Sequence, residues 1–267
     1  MPLKTSSAIG SSMRPLDEEI FVCLDCETTG LEPRTDRVIE VALIKFRGEE
    51  ILEQYDSLID PGMAIPPSSS AIHHIMDAMV AGKPAIELIL PTLRDLVGDC
   101  VVVGHGIPFD LAILHHESVR ATQPSPWKER TFLDTLRLAR LYGESPENSL
   151  EKLRQHFNLP SEGAHRALSD VVVNMQVFRK LTQRFRTLHE IRHSLSRPIQ
   201  MRRMPLGKHK GLLFKEVPVA YLQWAARQDF DEDLLFSIRS ELKRRNSSVD
   251  FGAQSNPFKQ FDLDATQ

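Results

Sequence analysis

Asp25 and Glu27 stand two residues apart at the end of the apolar run I-F-V-C-L-D-C. If that run is a strand, the offset puts both carboxylates on one face, with Cα atoms roughly 6–7 Å apart. Carboxylates that close repel, burial would raise a pKa, and a divalent metal is the commonest relief. A bare D-x-E is more simply read as two solvated side chains at a strand end, so the pair needs company. Asp110, in G-H-G-I-P-F-D, falls in the first turn of a predicted helix directly after a predicted strand, where the helix dipole alone would also favour an acid. Asp170 follows His165 by five residues in H-R-A-L-S-D, at the start of a long apolar-periodic segment. Five helical residues turn through about 500°, so His165 must lie in the preceding loop to share a site with Asp170. The alternative for that histidine is a surface or N-capping role. Together these acids and the histidine offer hard oxygen ligands and one group titrating near neutrality. Two-metal phosphodiester hydrolysis needs that set: two Mg²⁺ or Mn²⁺ ions about 3.5–4 Å apart clamp the attacking and leaving oxygens, and a histidine is free to take the water proton.

The elements that would position these groups are legible in outline. Residues 1–18 are polar and Ser-rich and read as a flexible leader. Ile20 to Cys26, Val38 to Phe46 and Ile51 to Ile59 read as three antiparallel strands, with T-T-G-L-E-P and R-G-E-E as turns. Ile86, Ile89, Leu90, Leu93, Leu96 and Val97 have helical spacing; a β-branched strand, Cys100 to Val103, follows, ends at G-H-G, and gives way to a helix opened by Pro108. Further helices are predicted at about 133–142, 149–157 and 166–186. Strands first and helix–strand–helix afterwards define an α/β class with a mixed sheet flanked by helices. Cys23 and Cys26 have C-x-x-C spacing, but in a strand an offset of three places them on opposite faces, which disfavours metal or redox chemistry there.

F-V-C-L-D-C-E-T-T-G-L, H-G-I-P-F-D and H-R-A-L-S-D resemble, in order, the three motifs of the DnaQ-like (DEDDh) 3′→5′ exonucleases, and D-T-L at 134–136 agrees with the same pattern. The resemblance covers roughly residues 19–186. It implies a ribonuclease-H-like fold, two metal ions held by Asp25, Glu27, Asp110 and Asp170, and His165 as general base. It also implies that Thr28, Thr29 and His105 lie near the terminal nucleotide and that Leu31 wedges between bases, unless it fills the core. Phe109 could stack on a sugar or base or serve as a core aromatic. A-I-H-H-I-M-D-A-M-V-A-G-K-P at 71–84, with M-P-L-G-K-H-K-G and Y-L-Q-W further on, is similar to a DNA-hydrolysing branch of the family. Two positions depart from the usual pattern: Gly106 stands where asparagine is typical, and His74-Ile75-Met76 replaces G-I-T. Neither removes a ligand; both bear on substrate contacts and rate.

The 267 residues, 41% hydrophobic and 26% charged, suit one core domain with a small companion and exclude wholesale disorder or a disulfide miniprotein. The net charge of −3 hides a division: residues 1–178 carry −10, residues 179–245 carry +9 and residues 246–267 carry −2. A metal-filled carboxylate cluster would leave the body acidic still, so the basic region is where phosphates should be attracted. We read 19–186 as the exonuclease domain, 187–203 as a linker, 204–245 as a small basic module and 246–267 as a disordered tail. Arg202, Arg203, Lys208, His209, Lys210 and Lys215 surround a turn near Phe214, Tyr221 and Trp224. The charges suit contacts to single-stranded DNA or 3′ ends; the aromatics suit either base stacking or a small core. Q-F-D-L at 260–263 faintly resembles a peptide that docks on a sliding clamp, which would make a clamp or polymerase a partner through the tail. No apolar run is long enough for a membrane span or signal peptide, so a reducing cytoplasm is the simplest compartment.

Overall fold

The computed structural model describes residues 14–145, 147–160 and 166–254. They fall into two compact units, one ending at Ser196 and one beginning at Arg197. In the first, β1 (Ile20–Thr28) and β2 (Val38–Arg47) pair antiparallel, and β3 (Glu50–Leu58) adds to β2 in the same sense. The chain crosses through α1 (Pro67–His73), α2 (Asp77–Val80) and α3 (Ile86–Val97) to β4 (Val101–Gly104), which is parallel to β1. After α4 (Pro108–Arg120), β5 (Phe132–Asp134) lies parallel to β4, giving the order β3-β2-β1-β4-β5. Helices α5 (Thr135–Tyr142), α6 (Leu150–His156), α7 (Ala167–Thr182) and α8 (Leu188–Leu195) complete the unit.

The two-residue period of β1 sorts its side chains between two cores. Phe21 and Cys23 pack with α5, α7 and α8 on one face, and Val22, Leu24 and Cys26 pack with α3 and α4 on the other. Cys23 and Cys26 are therefore buried on opposite sides of the sheet, both as free thiols. The topology puts the carboxyl ends of the parallel strands β1 and β4 side by side, with α4 and α7 reaching them from opposite faces. Ligands of open α/β sheets bind in crevices at such places.

Several sequence expectations need correction. The segment 187–203 is not a linker: Thr187 caps α8 by accepting the Glu190 N–H, and Leu188 and Ile191 are buried in the α7-side core. Pro15 bridges to Thr187, and Leu16 N–H donates to the Arg186 carbonyl, so the described end of the leader is tied to the body. β5 takes the first two residues of the helix predicted at 133–142. The boundary also moves charge, since 197–245 holds 11 basic and 6 acidic residues, a surplus of +5 rather than +9.

The second unit packs α9 (Val219–Ala225) and α10 (Glu232–Gln254) around Met204, Phe214, Val217, Leu222, Leu234 and Ile238. Helix α10 runs past 245 into the segment expected to be a disordered tail, so Lys243-Arg244-Arg245 lies within the helix, and Arg244 and Arg245 both pair with Glu241. Residues 260–263, the clamp-like peptide, lie outside the described residues.

Candidate active site

Strand β1 outruns its parallel neighbour. The pairing of β1 with β4 stops at Cys23 with Val103, leaving Asp25, Cys26 and Glu27 beyond it. Asp25 and Glu27 share the parity of Phe21 and Cys23 and so face α7. Val171, Met175 and Phe178 seat α7 on that face, which brings Asp170, in the first helical turn, over the strand end. Carboxylate oxygens of Asp25, Glu27 and Asp170 lie within 4.8 Å of one another.

Asp110 arrives from the other face, at the start of α4. Gly104 makes this possible: a Cβ there would come within 2.4 Å of the Ile107 side chain, so only glycine allows the turn that launches the helix. Cys26, past the end of β4, has a backbone N–H without a strand partner on that side, and Asp110 Oδ1 accepts it at 3.0 Å. Asp110 is thus fixed beside Asp25, although it is not among the three acids of the tight cluster.

Charge repulsion marks the cluster. Burial, followed by Asp110, Glu27, Asp170 and Glu40, holds the Asp25 carboxyl well above the usual carboxylate range. Burial with Asp170 and Glu40 pushes Glu27 up to about 7 against the pull of Arg166, and burial raises Asp110 to about 8 despite the Cys26 N–H. All the donors are carboxylate oxygens, the set that hard divalent cations prefer, and such a cation would relieve this repulsion. The residues fit the metal that the resemblance implies.

Glu40 is a supporting residue that motif reading missed. It sits opposite Glu27 across the β1–β2 ladder, nearly fully buried. Its carboxylate accepts Arg166 Nε at 3.1 Å, Arg166 Nη2 at 2.5 Å and Ala167 N–H at 3.0 Å. One acid therefore clamps the first turn of α7, which carries Asp170. The signal was an acid inside the apolar run V-I-E-V-A-L-I.

The expected substrate contacts divide. Leu31 is 87% exposed, so it does not fill the core. Thr28 and Thr29 are buried and occupied: Thr28 donates to the Gly30 carbonyl, and Thr29 donates to Asp36 while accepting the Arg37 N–H. Their hydroxyls hold the turn after β1 rather than facing outward. His105 bonds through Nδ1 to Thr135, which also meets the buried Asn174 amide of α7; burial lowers His105 to about 4, so it is neutral and serves a network behind the cluster. Phe109 packs half-buried against the α4-side core. Gly106, at a φ of 73°, occupies the left-handed region that asparagine tolerates almost as well, and His74 takes φ 60° where glycine is usual. Residue 165 lies outside the described residues. In the second unit Arg202, Arg203, Lys208 and Lys210 are exposed, but Arg203 Nη1 is engaged by the Gly211 carbonyl.

A family model described as "Exonuclease" matches residues 22–178, and the chain belongs to that family of DnaQ-like exonucleases. A second model, whose description names a quorum-sensing-regulated virulence factor, matches residues 188–237. The chain is 31% identical over 169 residues to the DNA polymerase III subunit epsilon of Aquifex aeolicus, covering 61% of this chain and 80% of that one. It is 35% identical over 163 residues to the PolC-type DNA polymerase III of Thermotoga maritima, but spans only 12% of that polymerase. Among solved structures it is similar to exonuclease X in complex with 5′ overhanging duplex DNA, with 26% identity, a TM-score of 0.51 and coverage of 64% of this chain and 96% of that one. The five-stranded mixed sheet with flanking helices is the ribonuclease-H-like exonuclease fold.

Proposed function

We propose that this chain is a metal-dependent 3′→5′ exonuclease acting on DNA. The observation that carries the reading is the meeting of Asp25, Glu27 and Asp170 within 4.8 Å, with Asp110 fixed alongside, in a member of the exonuclease family. Asp25, Glu27, Asp110 and Asp170 would hold two divalent ions, Mg²⁺ or Mn²⁺. Bound there, the ions supply Lewis-acid stabilisation of charge on the phosphate and on the attacking and leaving oxygens. Asp110 is positioned by the bond from the Cys26 N–H to its Oδ1, and Asp25 and Glu27 are held by the pairing of β1 with β2. His165 takes the proton of the attacking water, its imidazole being suited to gain and lose a proton near neutral pH. Leu31, exposed beside the strand end, meets the terminal base. Arg202, Lys208 and Lys210 of the second unit attract phosphates by sequence-independent electrostatics. The test is the stepwise shortening of a 5′-labelled DNA strand in Mg²⁺, compared with the same strand in EDTA.

The acidic cluster also makes stability respond to pH in a specific sense. Glu27 titrates near 7 and Asp110 near 8 in the folded chain, against ordinary values of 4.5 and 3.8. The folded state therefore keeps protons that the unfolded state has already lost, and folding is penalised as pH rises between those limits. In EDTA the melting temperature should fall from pH 5 to pH 8, and Mg²⁺ or Mn²⁺ should remove most of that fall, because the cation favours the ionised carboxylates. Thermal unfolding at both pH values, with and without metal, measures this; a melting temperature in EDTA that is flat or rises with pH would count against the cluster.

A further inference from the structure

We infer that the second unit carries a base-stacking site for single-stranded DNA, built on Trp224. The inference rests on the exonuclease reading only in naming DNA as the polyanion; the surface itself is argued from its own residues. The chain has two tryptophans. Trp127 is fully buried and donates Nε1–H to Ser118, whereas Trp224 is 51% exposed. Helix α9 fills its small core with Leu222 and Ala225, so the exposed indole is not a core residue. It does not stand alone. The Tyr221 ring lies 5.2 Å from Trp224 and 4.5 Å from His209, while Lys208 Nζ lies 5.3 Å from the Tyr221 centroid. A line of three rings thus ends in an exposed indole beside a basic loop.

The loop is built to lie across that line. Met204 N–H bonds to the Leu212 carbonyl and Gly211 N–H to the Met204 carbonyl, so residues 204–212 form a closed turn with Lys208, His209 and Lys210 at its tip. Gly207 has a φ of 71°, and a Cβ there would sit 2.5 Å from Tyr221 Oη. Glycine is what lets the basic turn close onto the tyrosine. The acids of this unit are largely committed elsewhere: Glu216 accepts the Leu213 N–H, Asp231 the Leu234 N–H, Asp233 the Ile199 N–H, and Glu241 holds two arginines. Lys208 flanks the rings, and Arg202 and Lys215 are exposed in the same unit. A polyanion with flat rings free to stack fits both features. Single strands present their bases this way, and duplexes do not.

The test uses the full chain in EDTA, with a fluorescein-labelled oligo-dT of about 12 nucleotides, within the roughly 4–16 that such grooves cover, and a blunt hairpin duplex as comparison. Wild type should bind the single strand more tightly than the hairpin and lose tryptophan emission as it does so. Trp224→Ala should weaken single-strand binding roughly 5-fold to 150-fold. Trp224→Phe should keep most of the affinity, read by fluorescein anisotropy, yet abolish the quenching, because only buried Trp127 remains. Unchanged affinity in Trp224→Ala, no quenching in wild type, or equal quenching by the hairpin would each overturn the inference. Hydrolysis of 5′-labelled DNA in Mg²⁺ by the same preparation separates the two readings: its absence would sink the exonuclease proposal and leave the stacking result standing, and the reverse holds as well.

Discussion

Asp25→Asn should lower kcat for DNA hydrolysis by at least about 10³-fold in Mg²⁺ while raising the melting temperature of the metal-free protein. Both halves follow from one arrangement. Asp25 is crowded by acids, facing Asp110, Glu27, Asp170 and Glu40 from a half-buried strand position. An amide of the same size removes a cation ligand and costs the charge stabilisation that bound metal would supply. It also removes a buried charge from an acidic cluster, relieving repulsion that the folded chain bears when metal is absent. A purely structural Asp25 would give the opposite pattern, with activity falling only in proportion to lost stability. Thermal unfolding in EDTA beside single-turnover hydrolysis distinguishes them, and unimpaired turnover under saturating Mg²⁺ would end the assignment of Asp25 as a ligand.

The second large effect concerns stability. Glu117→Ala should destabilise the first unit by about 3 kcal/mol, near the lower end of what breaking a buried ion pair costs, because its arginine partners can partly rehydrate. Glu117 is fully buried on α4 and accepts Arg37 Nε at 3.0 Å and the Val38 N–H at 3.0 Å, with Arg120 Nη2 3.1 Å away. Its removal leaves the Val38 N–H and the Arg37 Nε without their acceptor, while Arg120 keeps the Arg34 and Asp36 carbonyls. Asp110 and Glu117 are seven residues apart, nearly two full turns, so they project from one side of α4, and each takes a backbone N–H from a strand. The helix is pinned at both ends by acids. With typical domain stability of about 5–15 kcal/mol, the loss should lower the melting temperature by roughly 6–12 °C. Urea unfolding followed by circular dichroism measures it; a change below about 1 kcal/mol would mean that the buried triad carries little of the packing.

The three-strand meander, the long helices and the D-x-E strand end were legible because strand alternation and helical spacing are local properties of the chain. Asp110 was legible as an acid near a helix start, but its bond to Cys26 depends on β4 ending short of β1, which no local pattern reveals. Helix α8 was missed because its apolar residues are few: Leu188 and Ile191 are buried among His189, Arg192 and His193, so the segment reads as a basic linker until α7 is in place to receive it. Short α1 and α2 carry too few residues for a period to appear. Glu40 was visible as an acid in an apolar run and Glu117 only as a polar residue among His115, His116 and Ser118, and their partners, Arg166 and Arg37, are 126 and 80 residues away. Thr28 and Thr29 carry a role that motif position alone did not suggest, since their hydroxyls bond within the turn after β1.

The most direct test of the exonuclease reading is a time course on one DNA strand labelled at either end. In Mg²⁺, the 5′-labelled strand should shorten through a ladder of products while the 3′-labelled strand yields labelled mononucleotide from the first time point, with both reactions absent in EDTA. Mononucleotide released first from the 5′ end, or cleavage that continues unchanged in EDTA, would contradict the account.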